Sequence, residues 1–252
     1  MFEVIRARFH QKYRTIAFPE TNPVLPERYR GCPKFDAAKC NDCKACLEVC
    51  PTNAIMLQNK KLNIDLGKCI FCLECMKTCK NKVISFTNEF AMAVRSRNDL
   101  MFEGSELKLA KELKDEMKRI FGRSLKLRQV SAGGCNACEA DVNVLSTVVF
   151  DLSRFGIQFV ASPRHADGLL ITGPVTANMK LALKKTYEAL TSPKLVIACG
   201  ACAISGGVYE GHKEVNNGVE PILPVDLFIP GCPPHPMTIL DGLLRLLGRI
   251  KK

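Results

Sequence analysis

Two cysteine runs decide how this chain is organised: CNDCKACLEVCP from residue 40 to residue 51, and CIFCLECMKTC from residue 69 to residue 79. Both have the spacing C-x2-C-x2-C-x3-C. Three thiolates spaced in this way can wrap one face of a [4Fe–4S] cluster, whereas the fourth, one helical turn further on, points the opposite way. The runs therefore predict two clusters whose ligands cross between the runs. The predicted ligand sets are Cys40, Cys43, Cys46 and Cys79 for the first cluster, and Cys50, Cys69, Cys72 and Cys75 for the second.

Zinc and disulfide bonds are the alternatives for these cysteines. Zinc usually takes two separated C-x2-C pairs that close one tetrahedral site, so two identical four-cysteine runs would be an unusual zinc motif. Disulfides need an oxidising compartment, and the start of the sequence, MFEVIR, lacks the apolar region of a secretory signal. The spacing therefore favours iron–sulfur clusters, as in bacterial two-cluster ferredoxins.

The composition limits the location and the partners. The chain has 252 residues and 14 cysteines, which, without an export signal, predicts reduced thiols that bind metal in the cytoplasm. No run of about 18 apolar residues is present, so membrane association is expected only through partners. The formal net charge is +11, of which each oxidised cluster with its thiolates offsets about two charges. The remaining basic charge suits acidic partners or an anionic membrane surface, and no basic stripe with interleaved aromatics indicates nucleic acid.

The first half of the chain divides into three segments. Residues 1–39 are predicted to form an extended N-terminal arm, because four prolines lie between residues 19 and 33. Residues 40–87 form the two-cluster ferredoxin module, with a short strand after each run. Residues 88–124 connect the halves and include a helix predicted to start at the N-cap residue Ser105 and to reach Ile120. The expected apolar anchors of the arm are Phe2, Phe9, Tyr13, Ile16, Phe18 and Leu25.

Residues 125–252 alternate strands and helices, which predicts a parallel sheet with helices on both faces. The expected strands are 125–130, 157–161, 168–172, 195–199 and 225–229. The expected helices are 139–155, 178–190 and 236–247. The fold class is thus α/β: an N-terminal ferredoxin-like 2[4Fe–4S] module followed by a flavodoxin-like, doubly wound parallel-sheet domain.

Further cysteines lie in Gly- and Pro-rich loops after three of these strands. Doubly wound sheets bind ligands outside the carboxyl ends of their strands, so these loops are expected to meet. Glycines allow close approach of the backbone to a cluster, and prolines fix the last loop. A third [4Fe–4S] cluster is therefore predicted, with ligands Cys135, Cys138, Cys202 and Cys232. We interpret Cys199 as a packed cysteine and assign no role to Cys32.

Several motifs resemble known subunits. Four segments resemble the small subunit of energy-converting [NiFe] hydrogenases. They also resemble its complex I homologue, the 20 kDa B-type subunit. The segments are GCNACE at 134–139, SPRHADGLLITGP at 162–174, GACAISGG at 200–207 and PGCPP at 230–234. The front half, including LPERYRG at 25–31, resembles the two-cluster ferredoxin-type subunit of the same complexes. The chain thus looks like a fusion of the two. The spaced pair Cys135 and Cys138 resembles hydrogenases, since the B-type subunits of complex I typically have adjacent cysteines there.

The resemblance implies a function for the whole chain. It implies an electron-transfer subunit that relays electrons through three [4Fe–4S] clusters between a donor and the catalytic large subunit of a membrane-bound energy-converting [NiFe] hydrogenase-type, formate hydrogenlyase-like complex. The alternative is a quinone-reducing peripheral-arm subunit of a complex I-like NADH/ferredoxin:quinone oxidoreductase. A third hypothesis, from another class, is a zinc-stabilised scaffold without a redox role.

The partners follow from the same resemblance. They are a large subunit homologous to the [NiFe] hydrogenase large or complex I D-type subunit, membrane subunits of the complex, and an electron donor or acceptor protein. The chain would sit peripherally on the inner face of the cell membrane through these subunits. It would be an oxidoreductase component with no complete active site and no catalytic residue of its own.

Four polar residues have expected positions or roles around the third cluster. Glu139 could couple proton movement to the cluster, because a nearby negative cluster raises the pKa of a carboxyl group. The alternative for Glu139 is a carboxylate favoured by the dipole of a helix N-terminus. The resemblance places Arg164 and His165 near the cluster or the large-subunit interface, and His235 is expected to pack in the Cys232 loop.

Overall fold

A computed structural model describes residues 2–12, 14–58, 61–104, 107–122 and 124–250. The elements of the first half are α1 Phe2–Gln11, β1 Pro33–Phe35, α2 Ala45–Glu48, β2 Ile55–Gln58, β3 Lys61–Asp65, α3 Glu74–Thr78, β4 Ile84–Phe86, β5 Met101–Phe102 and α4 Asp115–Phe121. Those of the second half are β6 Leu125–Ser131, α5 Ala137–Val144, β7 Ile157–Phe159, β8 Gly168–Thr172, α6 Ala177–Glu188, β9 Leu195–Cys199, α7 Ala201–Ser205, β10 Leu227–Ile229 and α8 Pro236–Leu246.

The ferredoxin module repeats one unit. In each cysteine run a short helix, α2 or α3, contains the third cysteine and ends before the fourth, and a strand, β2 or β4, follows after a turn. β2 pairs antiparallel with β3, which pairs with β5, and β1 pairs antiparallel with β4. The strands after the two runs agree with the predicted repeat.

The second half folds around a five-stranded sheet with the order β7-β6-β8-β9-β10, and all neighbouring strands are parallel. In chain order this is 2-1-3-4-5, the flavodoxin-like order, so the predicted fold class is confirmed. Every residue of β8 and β9 is buried, which explains their continuously apolar sequences. The loops after β6, β9 and β10 lie at the carboxyl edge of the sheet.

Both faces of the sheet are covered. On one face, α5 and α8 contribute Val142 and Leu243 to a buried core. On the other face, α6 and α7 share a second core with the ferredoxin module, which includes Ile64, Phe71 and Ile171. The ferredoxin module therefore packs directly against the sheet domain and shares a hydrophobic core with it.

The connecting helix is shorter than predicted. α4 begins only at Asp115, because the preceding backbone bonds to other segments. The Ala110 N–H donates to the Ala93 carbonyl at 2.7 Å, and the Leu113 N–H donates to the Leu246 carbonyl at 2.9 Å. The predicted N-cap, Ser105, lies outside the described residues.

The helix predicted over 139–155 is also wrong in length, since α5 ends at Val144 and only a 3-10 turn follows at Leu152–Phe155. The Leu152 N–H donates to the Leu145 carbonyl at 3.0 Å, so the chain closes a loop between these residues. Val148 and Val149, which lie within the predicted helix, are exposed in this loop.

The N-terminal arm is not extended throughout. Phe2–Gln11 forms α1, because the prolines that forbid a helix begin only at Pro19. The predicted anchor Tyr13 lies outside the described residues.

The other predicted anchors of the arm fall into two groups. Phe18 is buried, and Ile16 and Leu25 pack partly buried against the same core. Phe2 and Phe9, by contrast, are exposed on α1. The part of the arm nearest the sheet domain is therefore anchored, whereas the apolar side chains of α1 face solvent.

Candidate metal centres

The first cysteine group surrounds a small cavity in the ferredoxin module. Cys40 and Cys43 lie in the loop before α2, Cys46 lies within α2, and Cys79 directly follows α3. All four line the same cavity. Apolar side chains such as that of Leu62 form part of its wall, whereas Cys43 is exposed on its outer side.

The second group surrounds a neighbouring cavity. Cys69, Cys72 and Cys75 of the second run line it together with Cys50 of the first run. Its other walls are mostly apolar, with Ile64 among them. The structure thus brings together the same two crossed sets of four cysteines that the spacing predicts.

Matched backbone conformations shape both cysteine loops. Asp42 and Lys44 in the first loop have φ values of 56° and 61°, and Phe71 and Leu73 at the equivalent positions have 55° and 70°. Turns that mix left-handed and right-handed residues direct successive amides inward and form anion-binding concavities, as in many iron–sulfur sites. A cluster with four thiolates, which carries about two negative charges, suits such loops.

Backbone amides also donate to the sulfur atoms. The Ala54 N–H points to Cys50 Sγ at 3.3 Å, and the Val83 N–H points to Cys79 Sγ at 3.4 Å. Both donors lie four residues after the cysteine, so the repeat extends to individual hydrogen bonds. Such bonds favour the thiolate over the thiol and are one means by which a protein sets a cluster's reduction potential.

Burial and mutual repulsion disfavour free thiolates in the second group. Burial, followed by the neighbouring thiolates, raises the pKa of Cys75 to about 11, and burial raises that of Cys69 to about 12. A bound cation is therefore needed to displace the protons. Among the described residues, no three His, Cys, Asp or Glu side chains form a group that could hold a single metal ion. The sharing of two C-x2-C-x2-C-x3-C runs between two cavities is the pattern that suits [4Fe–4S] clusters.

The third group lies at the carboxyl edge of the sheet. Cys135 precedes α5, Cys138 is in α5, Cys202 is in α7, and Cys232 follows β10. The pKa of Cys138 is raised first by burial and then by the thiolates of Cys202, Cys232 and Cys135. The four sulfur atoms therefore lie close enough to interact, as expected from loops that share one edge.

Two glycines leave space for these thiols. A Cβ at Gly200 would lie 2.7 Å from Cys138 Sγ, and one at Gly207 would lie 2.8 Å from Cys202 Sγ. Both contacts are much shorter than van der Waals distance. The backbone at Gly200, with φ 94° and ψ 155°, is also almost inaccessible to residues with a side chain.

Gly200→Ala should therefore disrupt the third site. We expect a loss of about 1–3 kcal/mol of stability from the backbone alone, and a lower iron content because the new methyl displaces Cys138. Iron analysis of the purified protein measures the second effect. Gly211→Ala is the matched control: Gly211 also has positive φ, but an added Cβ would meet nothing within 4 Å. Equal iron in both variants would contradict the prediction.

Glu139 is buried and hydrogen-bonded. Its Oε1 accepts a hydrogen bond from the Thr172 hydroxyl at 2.7 Å. Burial raises the pKa of Glu139, but hydrogen bonds from Ser131, Thr172 and the backbone outweigh it and lower the pKa below its ordinary value. The expected rise depends on the charge of a bound cluster, so the proton-coupling role of Glu139 stays a prediction. These contacts make Glu139 a carboxylate that joins α5 to β8.

Arg164 and His165 lie away from the third group. Both are exposed in a 3-10 turn before β8. Asp167, just beyond, exchanges hydrogen bonds with Lys126 near the start of β6. This places the turn by the amino ends of the strands, away from the loops that carry the third group, and the alternative position at the large-subunit interface stays a prediction. His235 packs against Tyr29 after the Cys232 loop, with ring centroids 5.1 Å apart.

The two unassigned cysteines are both buried. Cys199 is fully buried at the end of β9, within the core beneath α8. Cys32 is buried in the other core, and burial followed by the charge of Glu89 raises its pKa to about 12. Neither lines the cavities of the first two groups.

A polar junction joins the second group to the third, and no sequence motif indicates it. Asp65 accepts two hydrogen bonds from the Arg97 guanidinium, at 2.8 and 2.6 Å, and one from the Gly67 amide at 2.9 Å. The Ser205 hydroxyl in α7 donates to the Gly67 carbonyl at 3.0 Å. Because Asp65 and Gly67 lead into Cys69 and α7 carries Cys202, the junction fixes one cysteine group against the other.

Comparison with known proteins accounts for both halves. Residues 39–83 match the 4Fe-4S dicluster domain, and residues 135–246 match the family described as NADH ubiquinone oxidoreductase, 20 kDa subunit. A probable membrane-bound hydrogenase subunit of Pyrococcus furiosus is 40% identical over 60% of this chain and 91% of its own length. The chain belongs to the 20 kDa subunit family. The resemblance seen in the sequence motifs is thereby confirmed.

Members of the 20 kDa subunit family from both kinds of complex are similar to this chain. Formate hydrogenlyase subunit 7 of Escherichia coli is 40% identical over 56% of this chain and 55% of its own length. The B-type subunit of the NADH-quinone oxidoreductase of Geotalea uraniireducens is 46% identical over 47% of this chain and 69% of its own length. In the part of our chain that the structure describes, no helix is both long and apolar enough to cross a membrane.

Proposed function

We propose that this chain is an electron-transfer subunit that relays electrons through three [4Fe–4S] clusters between a donor protein and the catalytic large subunit of a membrane-bound, energy-converting [NiFe] hydrogenase-type complex. The observation that carries the proposal is the succession of three four-cysteine groups in one compact chain. The names of two relatives, a membrane-bound hydrogenase subunit and a formate hydrogenlyase subunit, support this kind of complex.

Each cysteine group would hold one cluster by its four thiolates. Iron–sulfur clusters supply one-electron chemistry when bound. The protein's own contribution is to neutralise and shield the thiolates, through the inward amides of the cysteine loops, the N–H groups on Cys50 and Cys79, and the apolar cavity walls. The chain would thus be an oxidoreductase component that lacks a complete active site.

The arrangement of the groups suggests an order for the relay. Phe71 of the second loop and Cys232 of the third line a common cleft, so the second group lies between the first and the third. Cys43 of the first group is exposed, as are Cys135 and Cys232 of the third. We infer that the donor protein covers the loop around Cys43 and that the large subunit covers the carboxyl edge of the sheet.

A complex I-like quinone reductase subunit is the second candidate. The 46% identity to the B-type subunit of an NADH-quinone oxidoreductase favours it, whereas the spaced pair Cys135 and Cys138 favours the hydrogenase branch. Nickel in the purified complex decides between them. Stoichiometric nickel would support the hydrogenase, and a nickel-free complex that reduces quinone would support the alternative.

Iron content tests the three clusters directly. The anaerobically purified chain should contain about 12 iron atoms and Cys202→Ala about eight, because each cubane holds four. Cys32→Ala, which removes a buried cysteine outside the three groups, should keep the full content. A colourless protein that contains zinc in place of iron would overturn the relay and support a scaffold.

A further inference from the structure

The helix α1 exposes an apolar stripe. Phe2, Ile5 and Phe9 follow helical spacing and share one face. Phe2 is 88% exposed and Phe9 is 80% exposed, and no residue of α1 is buried. Large apolar side chains grouped in this way on a surface indicate that another body covers them.

The stripe adjoins a second exposed apolar segment. After α1, the Thr15 hydroxyl donates to the Val148 carbonyl at 2.8 Å, and the Ile16 N–H donates to the Val149 carbonyl at 3.0 Å. Val148 and Val149 themselves are 63% and 41% exposed. The arm is therefore fixed to the sheet domain where that domain also presents apolar side chains to solvent.

Basic side chains accompany these apolar groups. Arg6 lies within α1, and Lys12 and Arg14 follow it, all exposed. None of the three forms an ion pair with another described residue. Glu3 is the one acidic residue in the α1 sequence, so this end of the chain has a positive charge that an anionic surface would complement.

We propose that α1 lies on an anionic lipid surface, with its phenylalanines at the acyl boundary and its cations among the headgroup phosphates. Protein interfaces are depleted in lysine, although aromatic residues and arginine are enriched there, so the basic cluster that includes Lys12 is what favours lipid over a protein partner. A short helix that mixes exposed aromatics with arginine and lysine is instead typical of the lipid interface, where long basic side chains reach the phosphates. The inference goes beyond the electron relay, because it gives the chain a lipid contact of its own in addition to any contact through partners.

Vesicle flotation of the full-length, cluster-containing protein tests this contact. We expect binding to phosphatidylcholine vesicles that contain phosphatidylglycerol, little binding to phosphatidylcholine alone, and release as added salt shortens the screening length. The double variant Arg6→Gln/Lys12→Gln should bind roughly 30-fold more weakly, since each cation near such a surface contributes about fivefold. Phe2→Ser/Phe9→Ser should also lose most binding.

Matched variants elsewhere on the surface distinguish a specific effect of α1 from a general effect of surface charge or surface hydrophobicity on vesicle binding. Leu181→Ser removes a 67% exposed side chain from α6, and Lys180→Gln/Lys184→Gln removes two exposed cations from the same helix. Both should bind vesicles as the unaltered chain does, with iron content unchanged. Equal binding to neutral vesicles, or α1 variants that release partner subunits but leave vesicle binding intact, would overturn the proposal.

Discussion

Double cysteine variants are expected to lose one cluster or two, depending on which cysteines are paired. Cys40→Ala/Cys79→Ala should lose about four iron atoms, whereas Cys40→Ala/Cys50→Ala should lose about eight. The reason is geometric: Cys40 and Cys79 line one cavity, although they belong to different runs, and Cys50 lines the other. Iron and sulfide analysis of anaerobically purified protein measures both losses.

The alternative pairing gives the reverse result. If each run held its own cluster, Cys40 and Cys50 would share a site, and Cys40→Ala/Cys79→Ala would be the variant that loses about eight irons. Cys32→Ala/Cys199→Ala is the control, because both residues are buried in the cores; it should keep about 12 iron atoms. Electron paramagnetic resonance of the reduced variants shows which signals survive.

The grouping of cysteines could be predicted because local spacing and one rule of topology suffice for it. Two residues between thiols bend the chain around one face of a cluster, and one helical turn sends the fourth thiol across. Cys135, Cys202 and Cys232 are far apart in the sequence. Their grouping could be predicted from the rule that ligands bind at the carboxyl ends of parallel strands. Buried strands such as β8 and β9 were found with correct bounds, since their apolar runs need no tertiary information.

Other features depend on partners distant in the chain. The segment before α4 has helical spacing, yet Ala110 and Leu113 form backbone hydrogen bonds with Ala93 and Leu246, and tertiary contacts override helix propensity. The ion pair between Asp65 and Arg97 is equally invisible to local patterns, because charged residues in a sequence are usually interpreted as solvated. Asp65 stands just before the second cysteine run, but that motif does not identify Arg97 as its partner.

That ion pair gives the largest expected effect on stability. Arg97→Ala should lower the free energy of unfolding by about 3–5 kcal/mol, the range for removing one partner from a buried ion pair. The side chain of Asp65 is only 6% exposed, and both of its oxygen atoms accept hydrogen bonds from the guanidinium. Without Arg97 a carboxylate would stay buried with only the Gly67 amide opposite it among these donors. Anaerobic chemical denaturation, followed by circular dichroism and cluster absorbance, measures the loss.

The loss should spread to the cysteine groups on both sides. The Asp65 carbonyl accepts hydrogen bonds from the amides of Lys68 and Cys69, and Gly67 is bonded to Ser205 in α7. A loosened Asp65 therefore frees the start of the second cysteine loop and weakens its contact with α7. We expect faster bleaching of the clusters in air and weaker magnetic coupling between the second and third clusters than in the unaltered chain.

Three controls distinguish the buried pair from a general effect of charge. Lys185→Ala removes a cation from the exposed pair with Glu188, and should cost no more than about 0.5 kcal/mol. Arg97→Lys should be intermediate, because lysine keeps the charge but cannot match both carboxylate oxygens. Asp65→Asn/Arg97→Ala should cost less than the sum of its single variants, since no unpaired charge is left buried. If Arg97→Ala is as mild as Lys185→Ala, the junction does not hold the two cysteine groups together.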